Sequence, residues 1–325
     1  MENTSFIELA KTLISYSIRC PSGHNSQPWS FQVANNKIII VPDLNKHLEV
    51  VDGNDKELFI SLGCALENLQ IAATHFGYST EYFVSEDDKI NVTFTKKEST
   101  TVNEENEVLF KAIDKRHTHR SKFLDKKLTD EQLQYIEKEK DDAILVYDSK
   151  SEGAKIICQK ITEGNSIQMA DPAFKDELVA WMRFNNKHRE ATQNGLCYNV
   201  LGFPPTPEFL GRRVIKMFLN PNAQNKTDKE VNASASHFCV FTIKDNTVKE
   251  YVALGKILEH FILKITSMGL SYSFSNQPCE VSEILGPLKE ELKVSVIPAV
   301  IIRLGYGTEP KNFSPRETPE IQFLE

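Results

Sequence analysis

Pro21-Ser22-Gly23-His24-Asn25-Ser26-Gln27-Pro28-Trp29 runs directly into Ser30-Phe31-Gln32-Val33-Ala34-Asn35-Asn36-Lys37-Ile38-Ile39-Ile40-Val41. The first part crowds hydroxyl, amide and backbone donors into a loop. In the second, Trp29, Phe31 and Val33 alternate with polar residues, the pattern of a half-buried strand. Asn35-Asn36 suits a hairpin turn, because asparagine tolerates positive φ, and 38–41 returns as the second strand. Upstream, Ser5 with Glu8 makes a capping-box pattern, and Phe6, Leu9, Ala10, Leu13 and Ile14 share one helical face. Downstream, 57–76 reads as a long apolar helix stopped by Gly77. Gly63, Cys64 and Ala65 at its centre are small enough to admit another backbone. Strands are expected at 78–84 and 90–94.

The polar stretch 97–106 is a candidate boundary. Beyond it, helices are expected at 105–115 and from Thr129 to about 137, with a strand over 143–147. Asp171-Pro172 is an N-cap and first-turn pair for a helix reaching about 185. Residues 193–207 and 220–232 read as polar loops, the second a mobile one. A strand over 238–243 precedes a helix over 249–268, whose Leu254, Ile257, Leu258, Phe261, Ile262 and Ile265 line one side and which Gly269 ends. A buried strand over 296–303 leads to a polar tail. Helices and strands mix without strict βαβ alternation, and several strand pairs look like hairpins, so the fold class is α+β. No G-x-G-x-x-G follows a strand, and neither a dinucleotide fingerprint nor a Walker loop is supported.

The 325 residues suffice for two similar-sized units, and 40% hydrophobic with 26% charged residues is ordinary for a globular protein. A net charge of −7 is the wrong balance for a general nucleic-acid binder. No apolar run reaches the length of a membrane span, and the first residues lack the basic start and apolar core of a signal peptide. The expectation is a cytoplasmic protein with neither nucleic-acid nor membrane partner. Six cysteines without any C-x-x-C pair read as free, mostly buried thiols.

The loop at 21–29 offers what a neutral heteroaromatic ring needs: amide and hydroxyl partners, with an aromatic residue to exclude water. It can equally be a polar loop that caps its own backbone. Lys115-Arg116-His117-Thr118-His119-Arg120-Ser121 alternates arginines with a hydroxyl at a helix end, which matches an anion site or else a solvated basic turn. Ser314-Pro315-Arg316 adds an arginine in the tail. His117 and His119 have no third ligand nearby in sequence, so no metal site is expected. Asp52 and Asp55 read as caps of the helix that follows. His24 is either a ligand contact or a surface histidine.

Pro21-Ser22-x-x-Asn25-x-Gln27-Pro28-Trp29 resembles the P-S-x-x-N-x-Q-P-W signature of the nitroreductase superfamily. Arg116-x-Thr118-x-Arg120 is similar to the R-x-S-x-R phosphate-binding start of that family, with threonine for serine. Gly305-Tyr306-Gly307 and Ser314-Pro315-Arg316 resemble its C-terminal G-Y and closing arginine. The segment 256–276 resembles its long helix and flavin-edge segment. Family members carry these parts once, in the order phosphate start, loop, long helix, closing arginine. Here the loop stands in the first half and the phosphate start and closing arginine in the second. That distribution, with Asp52-x-x-Asp55-x-Glu57-Leu58-Phe59 and Glu177-Leu178-x-x-Trp181-x-Arg183, resembles the fused, Acg-type branch.

The resemblance implies a nitroreductase-like α+β sandwich in which two degenerate repeats, 1–104 and 105–325, form an intramolecular pseudo-dimer. It implies one FMN per chain. Pro21, Ser22, Asn25 and Gln27 would line the flavin ring, Arg116, Thr118, Arg120 and Arg316 would hold the phosphate, and Asn276 and Gln277 would lie by the reactive nitrogen. No catalytic side chain is implied, since the flavin carries the chemistry. The implied activity passes electrons from a donor such as NAD(P)H to a nitroaromatic, quinone or similar small-molecule acceptor. The insertion 186–232 is a candidate lid. A protein that sequesters FMN without NAD(P)H turnover is the alternative, and an interaction protein with a decayed site is a third reading. A monomer is expected, with a homodimer as the other arrangement.

Overall fold

The computed structural model describes residues 2–98, 103–140 and 143–324. Helix α1 (Glu2–Ser17) leads through the 21–28 loop to the hairpin β1 (Trp29–Ala34) and β2 (Lys37–Pro42). Helix α2 (Lys56–His75) follows, then the hairpin β3 (Tyr78–Val84) and β4 (Ile90–Lys96), and helix α3 (Glu104–Ile113). Next come α4 (Asp130–Lys138), β5 (Ile144–Asp148), α5 (Glu152–Ala170), α6 (Pro172–Ala180), β6 (Met182–Arg183), α7 (Asn186–Thr192) and β7 (Leu196–Cys197). Helices α8 (Glu208–Phe218) and α9 (Pro221–Asn232) precede β8 (His237–Ile243), α10 (Val248–Ser267) and β9 (Ser271–Phe274). The chain closes with α11 (Gln277–Glu280), α12 (Ser282–Leu292), β10 (Ile297–Gly305) and β11 (Ile321–Phe323).

The architecture is α+β. One sheet has the order β11-β1-β2-β4-β3 and the other β5-β8-β10-β9. Without β11, both follow one plan: first strand, second, fourth, third, all neighbours antiparallel. In both, a helix of 20 residues joins the second strand to the third. Strand β11 returns from the tail to pair parallel with β1, Phe31 opposite Ile321.

The two long helices pack closely against each other. Gly63 and Gly255 meet there, each eight residues into its helix. A Cβ on Gly63 would lie 2.2 Å from the Val252 carbonyl oxygen, and one on Gly255 would lie 2.1 Å from that of Ile60. Only glycine permits this approach. Around the crossing, Leu62, Leu66, Leu69, Leu258, Phe261 and Ile262 are buried in the main core. Burial of such side chains contributes roughly 1.5–3 kcal/mol each before entropy is counted.

Local sequence explains most element ends. Thr129 with Gln132 forms a complete capping box for α4, Ser151 caps α5, and Asp171 with Pro172 starts α6. Asn36 takes the left-handed conformation at the first hairpin turn. Asp52 accepts the backbone N–H groups of Glu57 and Leu58 at 2.8 Å each. Asp55, at the N-cap position of α2, gives its helix no side-chain bond and instead meets His47 Nδ1 at 3.1 Å.

Several expectations are corrected. Helix α1 starts at Glu2, so Ser5 lies inside it rather than capping it. The helix from Asp171 stops at Ala180 rather than near 185, and the chain turns into β6 and α7. Residues 220–232 are not a loop: Asn220 accepts the Ala223 N–H and Pro221 supplies the first turn of α9. Helices α5, α8 and α12 and strand β11 were not read from the sequence. Helix α8 leaves Phe209, Met217 and Phe218 largely exposed. Part of the candidate boundary at 97–106 lies outside the described residues. The cysteines are free, five of them buried and Cys158 half-buried.

Candidate functional site

The loop after α1 is unusually shaped. His24, Asn25 and Gln27 all have positive φ, at 49°, 56° and 56°. Three such residues within four positions carry a conformational cost, small for asparagine, that the surroundings must offset. Here they do. The Ser22 hydroxyl oxygen accepts the Gln27 N–H at 3.0 Å. The Asn25 amide donates to the Gly195 and Pro315 carbonyls at 3.3 Å each and accepts from Arg316 Nη1 at 2.8 Å. Gln27 donates to the Gln193 carbonyl at 3.0 Å and accepts the Glu317 N–H at 2.9 Å. Segments far along the chain thus fix the loop from behind.

In front of the loop is a cavity of about 730 Å³. That size falls within the range of cofactor and small-molecule sites. Pro21, Ser22, Asn25, Arg116, Thr118, Arg120, Asn276, Gln277 and Arg316 all line it. Gln27 does not: it is buried behind the loop, with its amide held by Gln193 and Glu317.

The basic end is built on the edge of β9. Thr118 bridges Tyr272, and the His119 N–H donates to the Tyr272 carbonyl at 2.8 Å. Arg116 is buried; it donates to the Tyr272 hydroxyl at 2.6 Å and the Arg19 carbonyl at 2.9 Å. Its Nε has no hydrogen-bond partner and lies 3.9 Å from the Glu259 carboxylate. Arg120 is exposed to the cavity and has no ion pair among the described residues. Arg316 is committed to the protein. It donates to the carbonyls of Ile18 at 2.7 Å, Cys20 at 3.0 Å and Arg19 at 3.1 Å, and so closes the C-terminal end of α1. Burial first, then the neighbouring Arg116, lowers the Arg316 pKa to about 10. Burial, helped by Arg120, holds His24 at about 4, so its ring is neutral at ordinary pH.

The opposite end is acidic and amide-rich. Asn276 donates to Glu57 Oε1 at 3.0 Å and accepts the Ile301 N–H at 3.0 Å. Gln277 Oε1 is buried without a partner. Glu57 and Glu280 line the same wall. Glu57 is read from the sequence as part of a helix and of the Asp52-x-x-Asp55-x-Glu57 pattern, without a site role, and Glu280 is not singled out. Residues 199–202, within the candidate lid 186–232, line the cavity, as do 308–313, which no sequence pattern singled out. Nothing in the local patterns shows which distant segments meet; only the family resemblance put the 21–27 loop, 116–120, 276–277 and Arg316 into one site. Among the described residues no group of histidine, cysteine and carboxylate side chains has the arrangement of a metal site. No helix among them is long and apolar enough to cross a membrane.

No family model matches the chain. Two curated Mycobacterium tuberculosis proteins, from strains H37Rv and CDC 1551, each named "Putative NAD(P)H nitroreductase", are 22% identical over 96% of this chain and 89% of their own length. Among solved structures, the FMN-dependent nitroreductase NfnB of Mycobacterium smegmatis in complex with NADPH is 13% identical, over 62% of this chain and 88% of its own, with a TM-score of 0.39. A nitroreductase-like family protein from Bacillus cereus is 13% identical over 67% and 94%, with a TM-score of 0.37. Over nearly its whole length, then, the chain is similar in sequence to proteins named as nitroreductases.

Proposed function

We propose that this protein is an FMN-dependent oxidoreductase of the nitroreductase superfamily, built from two fused degenerate repeats with one flavin site. The observation that carries the reading is a single cavity whose two ends differ in chemistry. A basic end with Arg116, Thr118 and Arg120 suits a phosphate, since charge-assisted bonds to phosphate are strong. Arg120, exposed to the cavity and without an ion pair among the described residues, is a donor still to be used. The other end, between the 21–25 loop and Asn276-Gln277, suits a flat ring with carbonyl and nitrogen edges. FMN has both parts. When bound it would accept hydride from a donor such as NAD(P)H and pass it to a nitroaromatic or quinone acceptor.

The repeats would run over 1–104 and 105–325. Their support is the shared strand order, the matching long helices, and the reciprocal Gly63 and Gly255 contacts at equivalent helical positions. In this reading Arg316 and Asn25 position the ring loop rather than contact the cofactor, and Gln27 supports it from behind. Arg316 completes the basic end by its charge. The internal pseudo-dimer would make a second subunit unnecessary.

A second reading, FMN sequestration without NAD(P)H turnover, is favoured by one observation: Leu196 and residues 199–202, within the candidate lid 186–232, stand at the cavity wall. Stopped-flow mixing of FMN-loaded protein with NADH and NADPH separates the two. Bleaching of the flavin, and its return with menadione, supports the oxidoreductase. Flavin that stays oxidised supports sequestration.

A further inference from the structure

Helix α8 turns an apolar side outward. Gly211 seats it on the body: a Cβ there would stand 2.4 Å from the Phe184 ring. Ile215, one turn on, packs against the small cluster of Val179, Met182 and Phe184. Arg212 donates to the Val179 carbonyl at 3.5 Å and pairs with Glu208 at 2.8 Å, and Lys216 pairs with Asp176 at 2.5 Å. These contacts fix which side of the helix faces the protein. On the other side Phe209, Arg213 and Met217 form one i, i+4 row and Leu210, Val214 and Phe218 the next, so the rows adjoin. Met217, Phe209 and Phe218 are 78%, 72% and 68% exposed, and Leu210 and Val214 are exposed as well. These apolar side chains together offer on the order of 500 Å², a size at which patches on folded proteins mark interaction sites. Phe203, also exposed, directly follows the 199–202 segment of the cavity wall.

Charge selects what covers this face. The chain carries −7 overall, yet α8 holds Arg212, Arg213 and Lys216 against the lone carboxylate of Glu208. Glu208 is taken by Arg212, while Arg213, in the middle of the apolar face, is exposed and has no ion pair among the described residues. A second copy docked on the same face by twofold symmetry would set cations against cations, with no carboxylate to receive Arg213. An anionic lipid surface meets both demands: its phosphates receive arginine and lysine, and its acyl boundary takes phenylalanine, leucine and methionine. We infer that α8 docks the protein on anionic lipid, with Phe209, Met217 and Phe218 entering the acyl boundary and Arg213 reaching headgroup phosphates beside Lys216. The contact is peripheral, since no helix among the described residues is long and apolar enough to cross a bilayer. The expectation of no membrane partner rested on the lack of a spanning run, and a surface helix is invisible to that criterion. Docking of this kind does not depend on the flavin.

Co-sedimentation of the full chain with vesicles tests this docking. The protein should pellet with vesicles of equal parts phosphatidylcholine and phosphatidylglycerol, about 10-fold more tightly than with phosphatidylcholine alone, and should be released as salt is raised. Phe209→Ser, Met217→Ser and Phe218→Ser combined should weaken binding about 100-fold. Arg213→Gln alone should weaken it about fivefold. Both variants should melt with the wild type, because the substituted side chains are exposed. Folded wild-type protein that stays in the supernatant with both kinds of vesicle would overturn the inference. So would a folded triple variant that binds like the wild type. Sedimentation velocity examines the rival occupant: a wild-type dimer that the triple variant converts to monomer would assign the face to a second copy and overturn lipid docking. Neither readout involves FMN, so failure here leaves the proposed function standing, and failure to bind FMN leaves the docking face to be judged on its own.

Discussion

Gly255→Ala tests the helix crossing on which the site depends. The added methyl would be 2.1 Å from the Ile60 carbonyl oxygen, 2.8 Å from the Gly63 Cα and 2.9 Å from the Cys64 nitrogen. All three are backbone atoms of α2, so no side chain can swing aside. Ordinary contact requires the helices to separate by roughly an ångström. Overpacking of this kind costs about 1–3 kcal/mol, and backbone on every side places it near the upper end. Alanine regains about 1 kcal/mol of helix propensity. The net expectation is a loss of about 2 kcal/mol. Urea denaturation followed by circular dichroism measures it. The double variant with Gly63→Ala should lose less than the sum of the single losses, because the first methyl has already opened the crossing that the second would occupy. A Gly255→Ala protein as stable as wild type, or strict additivity of the pair, would refute the reasoning.

Arg120→Ala should weaken FMN binding about 10- to 100-fold while leaving the melting temperature unchanged, since the side chain is exposed and has no protein ion pair among the described residues; fluorescence titration measures it. Arg116→Ala combined with Arg120→Ala should abolish retention on a desalting column, and it should also destabilise the fold, because Arg116 holds Tyr272 and the Arg19 carbonyl. Arg316→Lys should destabilise by about 2–3 kcal/mol in thermal or urea melts, because an ammonium cannot serve Ile18, Arg19, Cys20 and Asn25 together. Burial raises Glu259 from 4.5 to about 7, against the pull of Arg116. The fold therefore binds that proton more tightly than the unfolded chain, and stability present below about pH 4.5 is lost as pH rises through about 7. Glu259→Gln removes this slope, so its stability relative to wild type should improve by on the order of 2–3 kcal/mol between about pH 5 and 8.

The sequence was most legible where the physics is local. Alternation of Trp29, Phe31 and Val33 marked the first strand, Thr129 marked the start of α4, and Asp171-Pro172 marked where α6 begins. Both long helices were readable from their apolar faces and their glycine stops. Where a helix is mostly polar the signal failed. Helix α9 has little apolar surface and was taken for a loop, although its cap, Asn220, and its Pro221 were present in the sequence. Strand β11 was invisible because its three residues gain their meaning only beside β1. At the site, all the residues implied by the motifs except Gln27 line the cavity, yet side-chain direction was beyond them. Gln27 turns away from the cavity, and Arg316 spends its hydrogens on α1. The placing of Glu57 and Glu280 on one cavity wall is tertiary and left no trace in local spacing.

The most direct test of the account is the visible spectrum of the purified protein, followed by release and quantitation of any flavin. The protein as isolated or after incubation with FMN should show a flavin spectrum, with FMN saturating at about one per chain. A protein that stays colourless after incubation with FMN would contradict the flavin site, and two flavins per chain would contradict the single fused site.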